Sequence, residues 1–572
     1  MSKEFSILIG GAAGEGTRMS GQLIGKLLNQ YGWRIFIYED YQSLITGGHN
    51  FSIIRASKER ISASTKEIDY LIALNQDTLQ RHKGRLKKEG LIIYNSDGVK
   101  NYPQRHNSDQ IKGEKGIGIA ALTITTQLGG KPIMKNSSLL GALGKVLGID
   151  WQAIEDLLKR EFGEKAELNL KIAKAGYDKA ETHNKIEKLN QKPLPLITGN
   201  EAVALGALKA GLEVYISYPM TPASSILHYL AGIKKDLKNI VVFQPENEIE
   251  VINAAIGAAY SGKRAMVGSS GGGFALMVEA LSLAGQSESP IVVVESQRPG
   301  PATGLPTYTA QGDLLFVLSA GHGDFFRFVV APGDAEESFY LTGLAMNMAW
   351  KYQLPAIVLI DKEISEDTFN LDESVLEKIE KRDGRFWNKK GNYKRYLDTN
   401  GGVPSIDGIS PLAFPGEAGA VVKATSYEHD EFGITAEEDE GQIRRMQEKR
   451  KRKIFYLYKD IDELKAVNVF GNKNSEKAVI VFGSNKGIAA ELGKELGLRV
   501  IQPLIFQPFP EEQMKKALSG VKKVITIETN VSAQLAQFLS CQRIKVDGSL
   551  LKYTGRPFFI EELREELIKK LQ

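Results

Sequence analysis

Phe5-Ser6-Ile7-Leu8-Ile9-Gly10-Gly11-Ala12-Ala13-Gly14-Glu15-Gly16 is an apolar run that ends in a glycine-rich turn. Behind it, Met19, Leu23, Ile24, Leu27 and Leu28 carry helical apolar spacing through 17–31, and 34–38 again reads as a strand. Strand, glycine turn, helix and strand make a βαβ unit, which predicts an α/β fold on a parallel sheet.

The same rhythm extends outward from that unit. Strands are expected at 70–74 and 90–94, and a small-residue helix at 137–147. The charged stretch 171–192 closes on Lys192-Pro193-Leu194-Pro195, and a proline pair after a polar helix marks a domain boundary. A second α/β segment then starts with a helix at 201–210, followed by strands at 214–217, 240–243, 264–268, 291–295 and 356–359. From 362 to 473 the periodicity fails, and 436–453 is dense in both charges. It reads as an exposed connector carrying a solvated helix. Strands at 478–482 and 524–528 and a helix at 561–571 restore the α/β pattern. Three to four domains follow: 1–192, 193–365, an irregular connector 366–473, and 474–572.

Composition excludes several functions. The 572 residues include 73 basic and 69 acidic side chains, so nothing points to nucleic acid or an anionic membrane as partner. With Cys541 as the one cysteine, neither a disulfide nor an iron–sulfur cluster can be built from this chain alone. No metal site is expected here. No stretch of 18 uncharged apolar residues offers a membrane span and no signal peptide is evident, so a cytoplasmic protein is expected.

Four turns fall at strand carboxyl ends of the central segment, where open α/β sheets bind ligands. Tyr218-Pro219-Met220-Thr221-Pro222 is stiffened by two prolines that fix the Thr221 hydroxyl, although a helix N-cap would use the same residue types. Glu246 and Glu248 precede the small-residue helix 251–260; they suit either capping or, on a dry face, proton transfer. Gly271, Gly272 and Gly273 let a ligand or partner backbone approach closely. Arg298 offers a planar fork for a carboxylate, or a plain salt bridge. In the first segment, Gly11, Gly14 and Gly16 suit a phosphate at a helix N-terminus, with Glu39 and Asp40 where a dinucleotide fold sets its ribose acid. The spacing is not G-x-G-x-x-G, and 46–50 (TGGHN) forms a second glycine turn that is either packing or ligand contact.

Together these motifs resemble a known family. YPMTPASS (218–225), QPENEIEVINAAIGAAYSG (244–262), SSGGGFALMVEAL (269–281) and QRPGPATGLPTYTAQGDL (297–314) are similar to the α subunit of 2-oxoacid:ferredoxin oxidoreductases. GGAAGEGTRMSGQLIGKLL (10–28) and ITGGHNFSIIR (45–55) resemble that family's γ domain, fused in front. GISPLAFPG (408–416), GSNKG (483–487), ETNVSAQLAQFL (528–539) and KYTGRPF (552–558) resemble its C-terminal portion, so nearly the whole chain is covered. The resemblance implies a Rossmann-like γ domain, a thiamine-diphosphate pyrimidine-binding domain and a transketolase-C-like domain. It also implies oxidation of a 2-oxoacid with CoA to acyl-CoA and CO2, with electrons passed to ferredoxin. A β subunit would carry Mg2+, the diphosphate site and a [4Fe-4S] cluster, in an (αβ)2 assembly. Glu248 would hydrogen-bond the aminopyrimidine, with Glu246 as fallback. Tyr218, Pro219, Gly271 and Gly272 would line that cofactor. Thr221 and Arg298 would contact the oxoacid, and CoA would lie near Gly11, Gly14 and Gly16.

Two positions depart from the pattern. Tyr308 stands where many members carry a basic residue suited to a second substrate carboxylate, and Thr46 replaces a frequent arginine. Two rival readings stand beside the family one: a nicotinamide-dependent oxidoreductase using the first glycine turn, and a non-catalytic partner-binding subunit.

Overall fold

The opening apolar run is strand β1 (Glu4–Ala13), which outlasts its apolar core because Gly10 and Gly11 go on pairing with a neighbouring strand. Helix Thr17–Gln30 buries Leu23, Ile24, Leu27 and Leu28 on one face and leads into β2 (Arg34–Asp40). The expected parallel sheet is interrupted here. Strand β3 (Gly47–Ser57) lies between β1 and β2 and is antiparallel to both. Length explains it: six residues, 41–46, separate β2 from β3, whereas a parallel return needs a crossover of roughly a dozen or more. Parallel pairing resumes on the other side of β1 with β4 (Ile68–Ala73), β5 (Leu86–Asn95) and β6 (Lys115–Ile119). Beyond β2, the strand Thr368–Asn370 pairs antiparallel with it.

The computed structural model describes residues 3–44, 47–100, 115–237, 239–400 and 403–571. They fall into two units, one of Met1–Leu196 with Asp367–Leu371 and Phe559–Glu565, the other of Ile197–Glu366 with Asp372–Phe558 and Glu566–Gln572. Thr46 lies outside the described residues.

The main sheet of the second unit runs in the order Ile505–Gln507, Phe328–Val330, Ala356–Asp361, Ile291–Gln297, Ala265–Ser269, Val214–Ile216, Val241–Phe243. All neighbours are parallel except Ile505–Gln507, which arrives from the C-terminal portion. A further sheet runs Val467–Gly471, Arg499–Pro503, Lys477–Ile480, Lys523–Glu528, Gly548–Leu551. One apolar core joins the two sheets, with Val293, Ile357, Phe482, Phe506 and Phe538 among its members.

The charged stretch near 436–453 departs from its expected solvated state. Helix Glu440–Glu463 buries Met446, Leu457 and Ile461, and with them Lys449 and Lys453. Lys449 places its ammonium 2.7 and 2.8 Å from the two oxygens of Glu288, and Lys453 bonds the same carboxylate. Glu288 is fully buried, so the charge pattern marks a packed face whose counterion lies far away in sequence.

Candidate functional site

Four strands lying side by side, Ile291–Gln297, Ala265–Ser269, Val214–Ile216 and Val241–Phe243, end on one edge of the main sheet. Their parallel pairing delivers Arg298, the 270–273 turn, the 218–222 turn and Glu248 to that edge, the carboxyl end where open sheets take ligands.

Helix Glu248–Tyr260 is capped by Asn247, whose Oδ1 accepts the Glu250 N–H at 3.1 Å. The capping task is therefore met without Glu248. Its side chain turns inward and is buried, and its Oε1 has no hydrogen-bond partner among the described residues. Glu246 differs in every respect. It is exposed, and its backbone N–H donates to Glu250 Oε2.

The glycines make the space that Glu248 occupies. A methyl on Gly273 would stand 2.1 Å from Ser269 Oγ and 2.5 Å from Glu248 Oε1, and one on Gly271 would stand 2.6 Å from Asp313 Oδ2. Gly272 faces open space. Ser270 precedes them, fully buried, with an Oγ that also lacks a partner among the described residues. A buried polar atom left unpaired costs about 1–3 kcal/mol, and Glu248 Oε1 and Ser270 Oγ both carry that cost beside the glycines.

Thr221 does not cap the helix Ser224–Ile233, whose N-cap is Ala223. The Thr221 carbonyl instead accepts from Arg298 Nη1 at 2.7 Å, so the two residues meet. No carboxylate pairs with Arg298 among the described residues, and burial draws its guanidinium pKa down. Ser269 Oγ lies 3.8 Å from Met220 Sδ, which ties the 218–222 turn to the Glu248 pocket. Tyr218 and Pro219 are exposed beside it. Arg298 opens onto a cleft of 540 Å³ lined also by Pro299, Thr309, Asp313, Asn530 and Gly555.

Comparison with known proteins decides what this edge belongs to. The family model described as "Pyruvate flavodoxin/ferredoxin oxidoreductase, thiamine diP-bdg" matches residues 205–449, and the one described as "Pyruvate ferredoxin/flavodoxin oxidoreductase" matches 6–179. The 2-oxoacid:ferredoxin oxidoreductase subunit alpha of Sulfolobus sp is 32% identical over 99% of this chain and 97% of its own. The chain belongs to the 2-oxoacid:ferredoxin oxidoreductases, as an α subunit. The 2-oxoglutarate oxidoreductase subunit KorA of Mycobacterium tuberculosis is 29% identical over 97% of this chain and 90% of its own. A solved structure, "2-oxoglutarate:ferredoxin oxidoreductase from Magnetococcus marinus with 2-oxoglutarate, coenzyme A and succinyl-CoA bound", superposes with a TM-score of 0.89 at 29% identity, covering 100% of both chains. Residues 205–449 thus form a thiamine-diphosphate-binding domain of an oxidoreductase of this family.

The 297–314 loop of this oxidoreductase carries a feature the sequence hides. Arg556 holds its guanidinium 4.5 Å from the centre of the Tyr308 ring, and the Thr309 N–H donates to the Gly555 carbonyl. A cation therefore stands at the position where the loop itself lacks one, brought there by the KYTGRPF segment.

The N-terminal glycines divide. Gly11 belongs to β1, while Gly14 and Gly16, with φ of 88° and 77°, make the turn. The Ala12 N–H there donates to the Glu15 carboxylate at 2.7 Å, which Asn75 and Lys135 also contact. Glu39 is buried and accepts the Ser52 hydroxyl at 2.6 Å. Asp40 is buried and accepts the Tyr38 hydroxyl at 3.0 Å, so both acids at the end of β2 are engaged inside the protein, which leaves the nicotinamide reading no observation in its favour. His49, in the second glycine stretch, is buried with its Nε2 2.7 Å from that of His82, and a methyl on Gly10 would stand 3.1 Å from its ring. The described part of that stretch, Gly47 to Asn50, is the start of β3 packed beside β1.

No described helix is long and apolar enough to cross a membrane, and no described cluster of His, Cys, Asp or Glu could hold a metal ion.

Proposed function

We propose that this chain supplies the aminopyrimidine half of a thiamine-diphosphate site that oxidises a 2-oxoacid with CoA to acyl-CoA and CO2, passing electrons to ferredoxin. The observation that carries the reading is the buried, unpartnered Glu248 Oε1 beside the glycine turn. A carboxylate in such a cradle accepts a hydrogen bond from a pyrimidine ring nitrogen, with Tyr218, Pro219, Gly271 and Gly272 around the ring. When bound, the cofactor supplies a carbanion able to attack the oxo carbon. Thr221 and the Arg298 fork hold the substrate carboxylate and oxo group, and Tyr308 with Arg556 stands at the far end of that loop. The Arg556 cation keeps dicarboxylic 2-oxoacids among the candidate substrates. Gly11, Gly14 and Gly16 of the γ-type segment are read as the side facing CoA.

The reading gives the diphosphate, Mg2+ and [4Fe-4S] cluster to a β subunit, in an (αβ)2 assembly in the cytoplasm. One cysteine agrees with that division. The same edge exposes Val241, Phe243, Ile249 and Leu276, and on the small-residue helix Gly257 faces open space; an apolar, small-residue face of this kind suits a protein partner. We read 1–192 as the γ-type domain, 193–365 as the pyrimidine-binding domain, 366–473 as the connector and 474–572 as the C-terminal domain.

The test is anaerobic purification from the native host, with iron and thiamine diphosphate assayed on the product. A brown complex with a second, cysteine-richer chain and near-stoichiometric cofactor is expected; a colourless single chain without cofactor would sink the reading. Two substitutions sharpen it. Gly273→Ala puts a methyl against Ser269 and Glu248; overpacking of ~1–3 kcal/mol should weaken thiamine-diphosphate binding about tenfold or more, measured by calorimetry. Gly232→Ala, on helix Ser224–Ile233 with open space around the new methyl, is the control. Arg298→Ala removes a charged donor and should raise KM for the oxoacid ~10–100-fold with little change in cofactor affinity. An unchanged KM would remove Arg298 from the substrate site.

A further inference from the structure

Glu295 sits on the central strand Ile291–Gln297, between Ser269 of one neighbour and Leu359 of the other. It is fully buried, and neither carboxyl oxygen accepts a hydrogen bond from any ordinary donor among the described residues. The Asp313 carboxyl lies in hydrogen-bonding contact with it. Asp313 is itself fixed in place: its N–H donates to Gln297 Oε1 at 3.0 Å, and its Oδ2 fills the space beside Gly271. It also lines the cleft onto which Arg298 opens. Two carboxylates in contact and out of water repel each other, so the arrangement is stable when one proton lies between them.

The other groups acting on the pair strengthen this. Asp361, on the adjacent strand Ala356–Asp361, adds negative charge and is held by the Ser484 N–H and hydroxyl and by the Gln311 amide. Burial first, then Asp313 and Asp361, drive the Glu295 pKa well above the carboxylate range, and burial pushes Asp313 up to about 6. Arg298 is the cation that shares the cleft with Asp313, and it donates to the Thr221 carbonyl.

We infer that Asp313, with Glu295 as its proton partner, is the acid–base group of the Arg298 cleft, lending a proton to the 2-oxo oxygen of the bound substrate and taking it back. This rests on the oxoacid reading above. As a nucleophile adds to the oxo carbon, the carboxyl O–H bond breaks and an O–H bond forms on the substrate oxygen, the bonding pair staying on the carboxylate. When the carbonyl re-forms in the thioester product, that O–H breaks and the proton returns. The lending and return of this proton is redox-neutral; the two electrons lost between the adduct and the thioester pass to ferredoxin, as the proposed reaction requires. Asp313 would touch the substrate; Glu295 acts through Asp313 and is a positioning residue.

The test uses the complete complex of this chain with its partner. Infrared titration of the substrate-free complex should show a protonated carboxyl band near neutral pH that is missing from Glu295→Gln and shifted in frequency in Asp313→Asn, where burial and Asp361 still keep Glu295 protonated. The alkaline limb of the kcat/KM profile for the oxoacid should move down by about one pH unit in Glu295→Gln. It should vanish in Asp313→Asn, with kcat lowered ~10²–10⁴-fold. A Glu295→Gln profile that is merely scaled down at every pH, or a wild-type complex without the band, overturns the inference. Loss of all oxoacid oxidation in a wild-type complex that retains the band would instead defeat the functional reading and leave the shared proton standing.

Discussion

Glu248→Gln should lower oxoacid-dependent ferredoxin reduction by ~10²–10⁴-fold while the complex assembles and melts as the wild type does. Glutamine fills the same volume beside Gly273, so packing is preserved. What changes is charge: an amide cannot act as the anionic acceptor that a pyrimidine nitrogen requires. The bare Oε1 makes the prediction sharp, because no other contact of that atom is removed by the exchange. Glu246→Gln is the matched control. It alters an exposed side chain whose backbone, not its carboxylate, makes the local bond to Glu250, and turnover should stay within about twofold. The measurement is anaerobic turnover over a panel of 2-oxoacids, with cofactor content determined on the same sample. Wild-type turnover in Glu248→Gln would strip Glu248 of its role.

The contrast between these two glutamates shows what sequence reasoning reaches. Position along the chain puts both at a helix start, where capping and chemistry look alike. Only the fold reveals that Asn247 caps and that Glu248 turns inward. Most strands and helices are legible because each is a local apolar pattern, and the motifs at strand ends converge because parallel strands share one carboxyl edge. The misses have a common cause in long-range partners. β3 is hidden by its glycine start, which reads as a turn, although the short link after β2 already forbids a parallel return. The 436–453 stretch reads as solvated because its counterion, Glu288, lies roughly 160 residues earlier. Arg556 reaches Tyr308 from the far end of the chain, and Glu295 reads as one more residue of a buried strand until Asp313 is seen against it. Charges that answer one another across such separations leave no periodicity to detect.

The Glu288 cluster carries the largest expected stability effect. Lys449 and Lys453 are both buried against this carboxylate, with Arg395 donating to the carbonyls of Ser287 and Glu288 beside them. Burial acts to raise the Glu288 pKa, but Lys449, Lys453 and Arg395 outweigh it and hold the group far below the carboxylate range; burial lowers Lys453 to about 7. Glu288→Gln leaves two ammonium groups out of water without an anion, which should destabilise the second unit by about 3–5 kcal/mol. Calorimetry or denaturant unfolding of the complex reads this directly. The pH dependence provides a further check. A depressed Glu288 contributes stability that is complete above the ordinary carboxylate range and is lost only as pH falls toward its folded value. A depressed lysine works in the opposite sense: its buried charge is a burden at pH values below about 7, relieved as pH rises from 7 toward 10.5. In Glu288→Gln both lysines shed protons more readily, so raising the pH from about 6 to about 9 should recover more stability in the variant than in the wild type. Replacing all three charges at once by apolar groups of similar volume, as E288L/K449M/K453M, should cost far less than the single exchange, because it avoids the unpaired charge altogether. If E288Q unfolds at the wild-type midpoint, the buried cluster is not holding helix Glu440–Glu463 in place, and the packing of Met446, Leu457 and Ile461 must do so unaided.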